Sequence, residues 1–522
     1  MDAQLIDLLR DDLVAARYRV DVIEGLWGPA AAAALHRGRT LPARRVLEAS
    51  RASGAAEPEP AAATLARLFL LGEALESDAV SRALPRVGPA GMVELGLLDS
   101  HGGHLHALLD LRPYSFVDSL GAGSWWIVSD LGEAVLGRAL DEDHVLGVGG
   151  ASLTLSGLMV PTPARTVLDL GTGCGIQAMH AARHAERVVA TDISERALEL
   201  ARFNARLNGI AGIEFRHGSL FEPVAGERFD RIVSNPPFVI TPRRDGVPQY
   251  EYRDGGLEGD ALVARVIRQA GEHLEPGGIA QLLGNWEYRA GSGDGDSPTL
   301  DGLERVRSWV ASSAVPVDAW VIERERQDAP TYAETWIRDG GTRPGASGFD
   351  ALYAAWLDDF DARGVHEVGF GYVLLRRPWA QAGDVTLARY ERVAEAIGSN
   401  PIGLGDHLAA CLEAHDWQAH RGDEALLAAT LVYAGDVTEE RHYWPGHDDP
   451  VVMTLRQGGG FARTVPLGTA LAAFVGACDG DLGVRALCAA LAEVLEVDEP
   501  ALTAELLPQV RDLVADGFLR PA

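Results

Sequence analysis

Asn235-Pro236-Pro237-Phe238 follows directly on the apolar run Phe229–Ser234 and carries residue types that chemistry needs. Two consecutive prolines stop any helix or ladder and stiffen the backbone, so whatever polar groups stand there are held in one place. The nitrogen of a planar amide or amino group is a poor nucleophile, because its lone pair is delocalised into the carbonyl or ring. The Asn235 side-chain oxygen and the Pro236 carbonyl can each accept one hydrogen of such an NH2 group and turn its electron density toward an electrophile. That is positioning with electrostatic help, and it requires no strong base. Phe238 offers a flat face, and stacking of a base on an aromatic ring is worth about 1–3 kcal/mol. Asn235, Pro236 and Phe238 are therefore the catalytic candidates.

A second run, Val167-Leu168-Asp169-Leu170-Gly171-Thr172-Gly173-Cys174-Gly175, reads as a strand opening into a glycine turn, and the helix-like Ile176–Ala185 follows. Asp192 then stands after Val188-Val189-Ala190-Thr191, at the end of the next strand. Glycines let a backbone approach a ligand closely above the strand ends, where open α/β sheets bind nucleotides. A carboxylate such as Asp192 can accept hydrogen bonds from both ribose hydroxyls. The spacing is Asp-x-Gly-x-Gly-x-Gly, which departs from the Gly-x-Gly-x-x-Gly that sets a pyrophosphate against a helix N-terminus. It closely resembles motif I of class I methyltransferases. The resemblance implies S-adenosyl-L-methionine as cofactor, held by Gly171, Thr172, Gly173 and Gly175, with Asp169 near its aminocarboxylate and Asp192 and Ile193 by the nucleoside. The family commonly carries an acid after the third strand for the adenine amine. This chain has Gly218-Ser219-Leu220-Phe221, so Ser219 or the Leu220 amide takes that place, and Asn235 borders the cofactor from the other side.

Asn235–Phe238 also matches the amino-methylating pattern Asn-Pro-Pro-Phe/Tyr, which is shared by protein glutamine N5-methyltransferases, N6-adenine enzymes and some N2-guanine rRNA enzymes. Arg253-Asp254-Gly255-Gly256-Leu257-Glu258-Gly259-Asp260 resembles the Asp-Gly-Gly stretch of release-factor glutamine methyltransferases, and Leu274-Glu275-Pro276-Gly277-Gly278 is the pre-strand turn of the whole class. The resemblance covers about residues 145–290. The Pro-Arg-Pro-Glu-Thr segment of release-factor enzymes is replaced here by Gly147-Val148-Gly149-Gly150-Ala151-Ser152. The expected activity is N-methylation of a planar amide or amino nitrogen, foremost a glutamine or asparagine in a protein or peptide. An rRNA, tRNA or DNA base, a small molecule, and a chain that keeps the cofactor without turnover are the alternatives. His180 and His184 lie four apart on one helix face but lack a third ligand, so packing is the expected role and no metal is assigned.

The elements needed to position these groups are legible as apolar runs at Thr166–Leu170, Val188–Thr191, Ile213–Arg216, Phe229–Ser234, Ile279–Leu283, Val317–Glu323 and Val368–Leu375, alternating with helical patterns. They predict an α/β fold, a Rossmann-like class I methyltransferase domain with a mostly parallel seven-stranded sheet. The expected division is 1–120, a helical, winged-helix-like N-terminal domain; 121–380, the methyltransferase domain with an aromatic-rich insertion at 326–365; and 381–522, an α+β, winged-helix-like C-terminal domain. Gly54–Pro60 has linker composition. With 522 residues, 47% hydrophobic and 23% charged, the chain can bury several cores. Four scattered cysteines without C-x-x-C spacing, no apolar leader and no long apolar run suggest a cytoplasmic protein with no membrane partner. A net charge of −29 disfavours nucleic acid, although Arg243-Arg244 is a local basic pair. Protein or peptide substrates are the expected partners, and the flanking modules leave a homodimer open.

Overall fold

The computed structural model describes residues 2–52, 59–136, 140–290, 301–379, 384–419 and 421–522. Residues 54–58 of the expected linker lie outside the described residues. The chain divides into two compact units, Met1–Ser156 with Pro163–Arg392, and Gly157–Thr162 with Val393–Ala522.

The first unit begins with α1 (Ala3–Ala15), capped where the Asp2 carboxylate accepts the backbone N–H groups of Gln4 and Leu5. Next come α2 (Val20–His36), bent at Gly28-Pro29, then α3 (Leu41–Ala52) and α4 (Ala61–Leu65), which runs into the π-turn Ala66–Leu70. β1 (Leu75–Glu76), α5 (Ser77–Ala83), α6 (Gly88–Glu94), β2 (Leu98–His101) and β3 (His104–Ala107) follow, the strands forming a small sheet in the order β1-β3-β2. β4 (Leu109–Asp118) and β5 (Gly121–Asp130) then form an antiparallel hairpin of ten-residue strands, and the expected boundary at 120/121 falls in its turn.

After the short helices α7 (Glu133–Leu136) and α8 (Gly150–Leu158) comes the main sheet. Its first half is β6 (Ala164–Leu170), α9 (Ile176–Ala181), β7 (Ala185–Asp192), α10 (Glu195–Leu207) and β8 (Ile213–His217). The second half is β9 (Phe229–Ser234), α11 (Ala261–Ala270), β10 (Leu274–Arg289), α12 (Gly302–Ala311), β11 (Asp318–Asp328), α13 (Ala329–Asp339), α14 (Phe349–Ala362), β12 (Val365–Arg376) and β13 (Ala388–Arg392). The strand order is β13-β11-β12-β10-β9-β6-β7-β8, with β12 antiparallel to both of its neighbours and the other pairs parallel. The sheet thus has eight strands where seven were expected. β13 has no apolar run to announce it; it pairs along β11, and Trp320 Nε1 donates to Glu391 Oε1 across that pair at 2.6 Å.

Chain order reverses between β6 and β9, which creates a crevice at their carboxyl ends. Leu170 pairs with Ser234 across this switch point, so the glycine turn and Asn235 leave the sheet side by side. One face of the sheet shares a continuous core with the N-terminal elements, joining Leu9, Leu13, Phe69 and Ile127 to Ile176, Met179, Phe203 and Leu207. The other face is covered by α11 and α12 around Trp286, Ile267 and Val306. The insertion is the helix pair α13–α14. Its Tyr332, Trp356 and Phe360 pack with Val239 and Ile240, directly after Phe238.

The second unit contains α15 (Gly405–Ala419), α16 (Asp423–Leu427), β14 (Thr430–Tyr433), β15 (Val437–His442), β16 (Val452–Gln457) and β17 (Thr464–Pro466). α17 (Thr469–Gly476), β18 (Asp479–Gly483), α18 (Val484–Leu495), α19 (Glu499–Ala515) and β19 (Leu519–Pro521) complete it. Its sheets run β18-β14-β19 and β15-β16-β17, and Phe474, Leu487, Leu506, Val510 and Phe518 fill its core. Among the described residues no helix is long and apolar enough to cross a membrane.

Candidate active site

The glycine turn is built by its bonds to the end of β7. Gly171 N–H and Thr172 N–H both donate to the Thr191 carbonyl at 2.9 Å, and Gly173 N–H donates to Asp192 Oδ2 at 2.9 Å. Gly171, Gly173 and Gly175 have φ of 76°, 54° and 88°, a region in which a side chain would be strained. The turn therefore needs glycine at these three positions. Asp192 Oδ1 accepts the Ser194 N–H at 2.9 Å, so one carboxylate ties the turn to the start of α10. Burial raises the Asp192 pKa above the ordinary carboxylate value, and the N–H groups of Ser194 and Gly173 work against that rise.

A cleft of about 320 Å3 opens at the switch point. Of the residues predicted from sequence, Gly171, Thr172, Gly173, Asp192, Ile193, Ser219, Leu220, Asn235 and Pro236 line it. Three others stand outside the lining. Asp169 is fully buried beneath the turn, where Thr172 Oγ1 donates to its Oδ2 at 2.6 Å; burial pushes its carboxyl up to about 7. Gly175 starts α9 and sits against Ala201, which a Cβ there would approach to 3.0 Å. Phe238, half-buried, packs against Phe370 and Trp336, with ring centroids at 5.5 and 6.4 Å. It packs the loop against the edge of the core, because the insertion supplies apolar partners that the local sequence does not show.

Asn235 carries the feature that matters most for chemistry: its Oδ1 is buried and has no hydrogen-bond partner among the described residues. Ser234, one residue before, is fixed by Oγ donating to the Leu170 carbonyl at 2.8 Å. The loop beyond is braced by the Asp-Gly-Gly run. Phe238 bridges Asp254, Val239 N–H donates to the Arg253 carbonyl at 2.9 Å, and a Cβ on Gly255 would lie 2.9 Å from the Pro237 carbonyl oxygen. The Asp254 carboxylate accepts from Thr241 Oγ1 at 2.5 Å and from Tyr250 N–H at 2.6 Å. Arg253 reaches the Trp336 carbonyl at 3.0 Å and Asp339 at 3.1 Å, tying the insertion to the same loop.

Sequence reasoning missed one wall of the cleft. Asp143, His144, Val145, Leu146 and Gly147 line it, and the His144 ring meets Tyr252, another lining residue, edge-on at 5.7 Å. Burial lowers the His144 pKa. Gln177 supports the neighbouring Ser152, donating through Nε2 to its carbonyl at 2.9 Å. Glu251 and Tyr252 could have been suspected from their place just before the Asp-Gly-Gly run. Nothing in the sequence marks Asp143–Leu146. His180, considered as a metal ligand, is caged by Tyr114, Phe116 and Trp125, with Tyr114 Oη 3.0 Å from its Nε2, and burial pushes its pKa down to about 4. Of the basic pair, Arg244 is bonded to the Asp358 carbonyl of α14.

Two families match the chain: the methyltransferase small domain over residues 148–291, and a domain of unknown function (DUF7059) over residues 15–108. A ribosomal protein uL3 glutamine methyltransferase from Bradyrhizobium diazoefficiens is 37% identical, over 27% of this chain and 46% of its own. A release factor glutamine methyltransferase from Xylella fastidiosa is 40% identical, over 24% of this chain and 49% of its own. A putative protein N5-glutamine methyltransferase from Methanocaldococcus jannaschii is 34% identical, over 25% of this chain and 68% of its own. The chain belongs to the methyltransferase small-domain family. It spans about half the length of the first two relatives.

S-adenosylmethionine, the cofactor of class I methyltransferases, fits the cleft of this methyltransferase domain. The volume is in the range of small-molecule sites, roughly 300–1,000 Å3. The glycine turn brings the backbone to the cleft surface, and each Asp192 oxygen keeps a further lone pair for a hydroxyl. Asn235 lines the same opening, and its side-chain oxygen is buried without a partner.

Proposed function

We propose that this chain is an S-adenosylmethionine-dependent methyltransferase whose acceptor is the side-chain amide nitrogen of a glutamine in a protein. The observation that carries the reading is Asn235 Oδ1, a buried acceptor without a partner, on the loop that leaves the sheet beside the glycine turn. A buried acceptor left unpaired costs about 1–3 kcal/mol, so its retention points to a donor that arrives with the substrate. A primary amide brings two such donors. The names of the relatives agree with that acceptor.

When bound, S-adenosylmethionine supplies a methyl carbon on a cationic sulfur, so transfer forms the N–C bond, breaks the S–C bond and releases one N–H proton to solvent. The chain's own groups do the rest. Asn235 Oδ1 and the Pro236 carbonyl accept the two amide hydrogens and orient the nitrogen; Asp192 takes the ribose hydroxyls; Gly171–Gly173 form the cradle; Ser219 and Leu220 border the adenine. Pro236-Pro237 and the Gly255 brace hold the acceptors in place, which lowers the reorganisation needed at transfer.

The test uses the full chain with methyl-tritiated S-adenosylmethionine and a fractionated extract containing release factors and ribosomal proteins. The expected label is released by protease, resists nuclease, and leaves as volatile methylamine on alkaline hydrolysis, as an N-methylated amide must. Label that nuclease releases, or that remains in the small-molecule fraction, overturns the protein-glutamine assignment.

A further inference from the structure

Strand β5 is held edge-on to helix α10 by two asparagines. Asn204 Oδ1 accepts the Val128 N–H at 2.7 Å while its Nδ2 donates to the Val128 carbonyl at 2.9 Å. Asn208, one turn on, accepts the Trp126 N–H at 2.8 Å and donates to the Trp126 carbonyl at 2.7 Å. Four helical residues rise about 6 Å and two strand residues about 6.6 Å, so side-chain amides at i and i+4 can stand where a neighbouring strand would. Asn204 Nδ2 also donates to the Cys174 carbonyl at 2.9 Å, between Gly173 and Gly175 of the cofactor turn.

The end of the same strand grips the opposite wall. The Asp130 carboxylate pairs with both terminal nitrogens of Arg196, in the first turn of α10 after Asp192, and accepts the Val145 N–H at 2.7 Å. The Asp130 N–H donates back to the Val145 carbonyl at 3.1 Å. Val145 lies in the Asp143–Gly147 wall. Neither Asp130 nor Asn204 lines the cleft, yet the wall, the glycine turn and α10 all meet at β5.

We propose that the β4–β5 hairpin is a working part of the cofactor site, with Asp130 as the positioning residue that seats the Asp143–Gly147 wall against the cleft. The proposal rests on the S-adenosylmethionine reading of the cleft. It assigns the N-terminal region a coupling to cofactor affinity: whatever loosens the hairpin loosens one wall of the site, and bound cofactor stabilises the hairpin by the same amount.

The test compares full-length wild type, D130A and D130N. Backbone hydrogen exchange of residues 143–147 is measured without cofactor, S-adenosylmethionine Kd by calorimetry, and kcat at saturating cofactor. D130A removes the acceptor for Val145; exchange in the wall and Kd both rise by about tenfold or more, the scale for losing a hydrogen bond to a charged group, while kcat stays within about twofold. D130N keeps an oxygen for the Val145 N–H but loses the two-oxygen pairing with Arg196, and falls between wild type and D130A on both measures. Should D130A not fold, R196M frees Asp130 from α10 and shifts both measures in the same direction. Wild-type exchange across 143–147 in D130A, or a kcat loss as large as the Kd change, overturns the proposal. A wild type that binds no S-adenosylmethionine overturns the reading of the cleft, whereas the exchange comparison still decides whether Asp130 seats the wall.

Discussion

Asn235→Ala separates a catalytic acceptor from a structural one, because the two roles predict opposite effects on stability. In the free protein, Asn235 Oδ1 is buried and unpartnered, a state that costs about 1–3 kcal/mol. Truncation removes that cost and gives up only the packing of a small side chain at the edge of a cleft. The expected stability is therefore unchanged or higher, a rise of 1 kcal/mol moving Tm by only about 1 °C in a unit as large as the first. Turnover moves the other way. Loss of one pre-organised contact to the reacting group lowers kcat on the order of 10²–10³, while cofactor affinity changes little, since the glycine turn and Asp192 are untouched. Scanning calorimetry, cofactor titration and methyl transfer on one preparation check all three. A destabilisation above about 2 kcal/mol would make Asn235 a structural residue, since only a lost native contact produces it. Turnover near wild type would end the argument for amide polarisation.

Asp192→Ala removes the acceptor of the Gly173 and Ser194 N–H groups as well as the ribose contact; S-adenosylmethionine binding weakens by at least about 1.5–3 kcal/mol, read by calorimetry. Gly255→Ala drives a methyl to 2.9 Å from the Pro237 carbonyl and 2.7 Å from Leu262 Cδ2, so denaturant titration shows a loss of about 1–3 kcal/mol and kcat falls with it. The His180 pKa, about 4 in the fold, lies below its ordinary value of 6.5, so the native state binds fewer protons between these values. Its contribution, on the order of 3 kcal/mol, is complete above pH about 6.5 and is lost as pH falls toward 4. Urea titrations from pH 4 to 7.5 show this slope in wild type, and a shallower one in His180→Gln, where the buried His144 and His407 still contribute.

What the sequence disclosed was contiguous, and what it hid was distant. The run Val167–Gly175 places strand, turn and helix start within nine neighbouring positions, so periodicity and glycine spacing reveal them together. The strand alternation gave the sheet from β6 to β12 for the same reason, since strands buried on both faces read as apolar runs. β13 was invisible because Ala388-Arg389-Tyr390-Glu391-Arg392 is an edge strand whose stabilisation comes from β11. Phe238 was legible as an aromatic but its packing partners were not, because Trp336 and Phe370 approach it from far along the chain. Asn204 and Asn208 look like ordinary polar helix positions, and only the arrival of β5 gives them a task. The Asp143–Gly147 wall has neither periodicity nor motif, its placement coming from Asp130 and Tyr252.

An orphaned polar atom at the Asn-Pro-Pro-Phe loop persists only if the surroundings over-determine the loop that carries it. Four independent contacts do so here: Ser234 to the Leu170 carbonyl, Val239 to Arg253, Gly255 under Pro237, and Ile240 N–H donating to Tyr332 Oη at 3.0 Å. Tyr332 belongs to α13, and Asn285 Nδ2 of β10 donates to the same hydroxyl at 2.6 Å. The insertion therefore acts on the loop from behind. None of its residues lines the cleft; Trp336 packs against Phe238, and Arg253 ties the Trp336 carbonyl to the Asp-Gly-Gly run. A loop pinned on that side cannot swing Asn235 toward a protein donor to satisfy it. The acceptor loop is thereby held in one arrangement before any substrate amide arrives, which keeps its reorganisation on binding small.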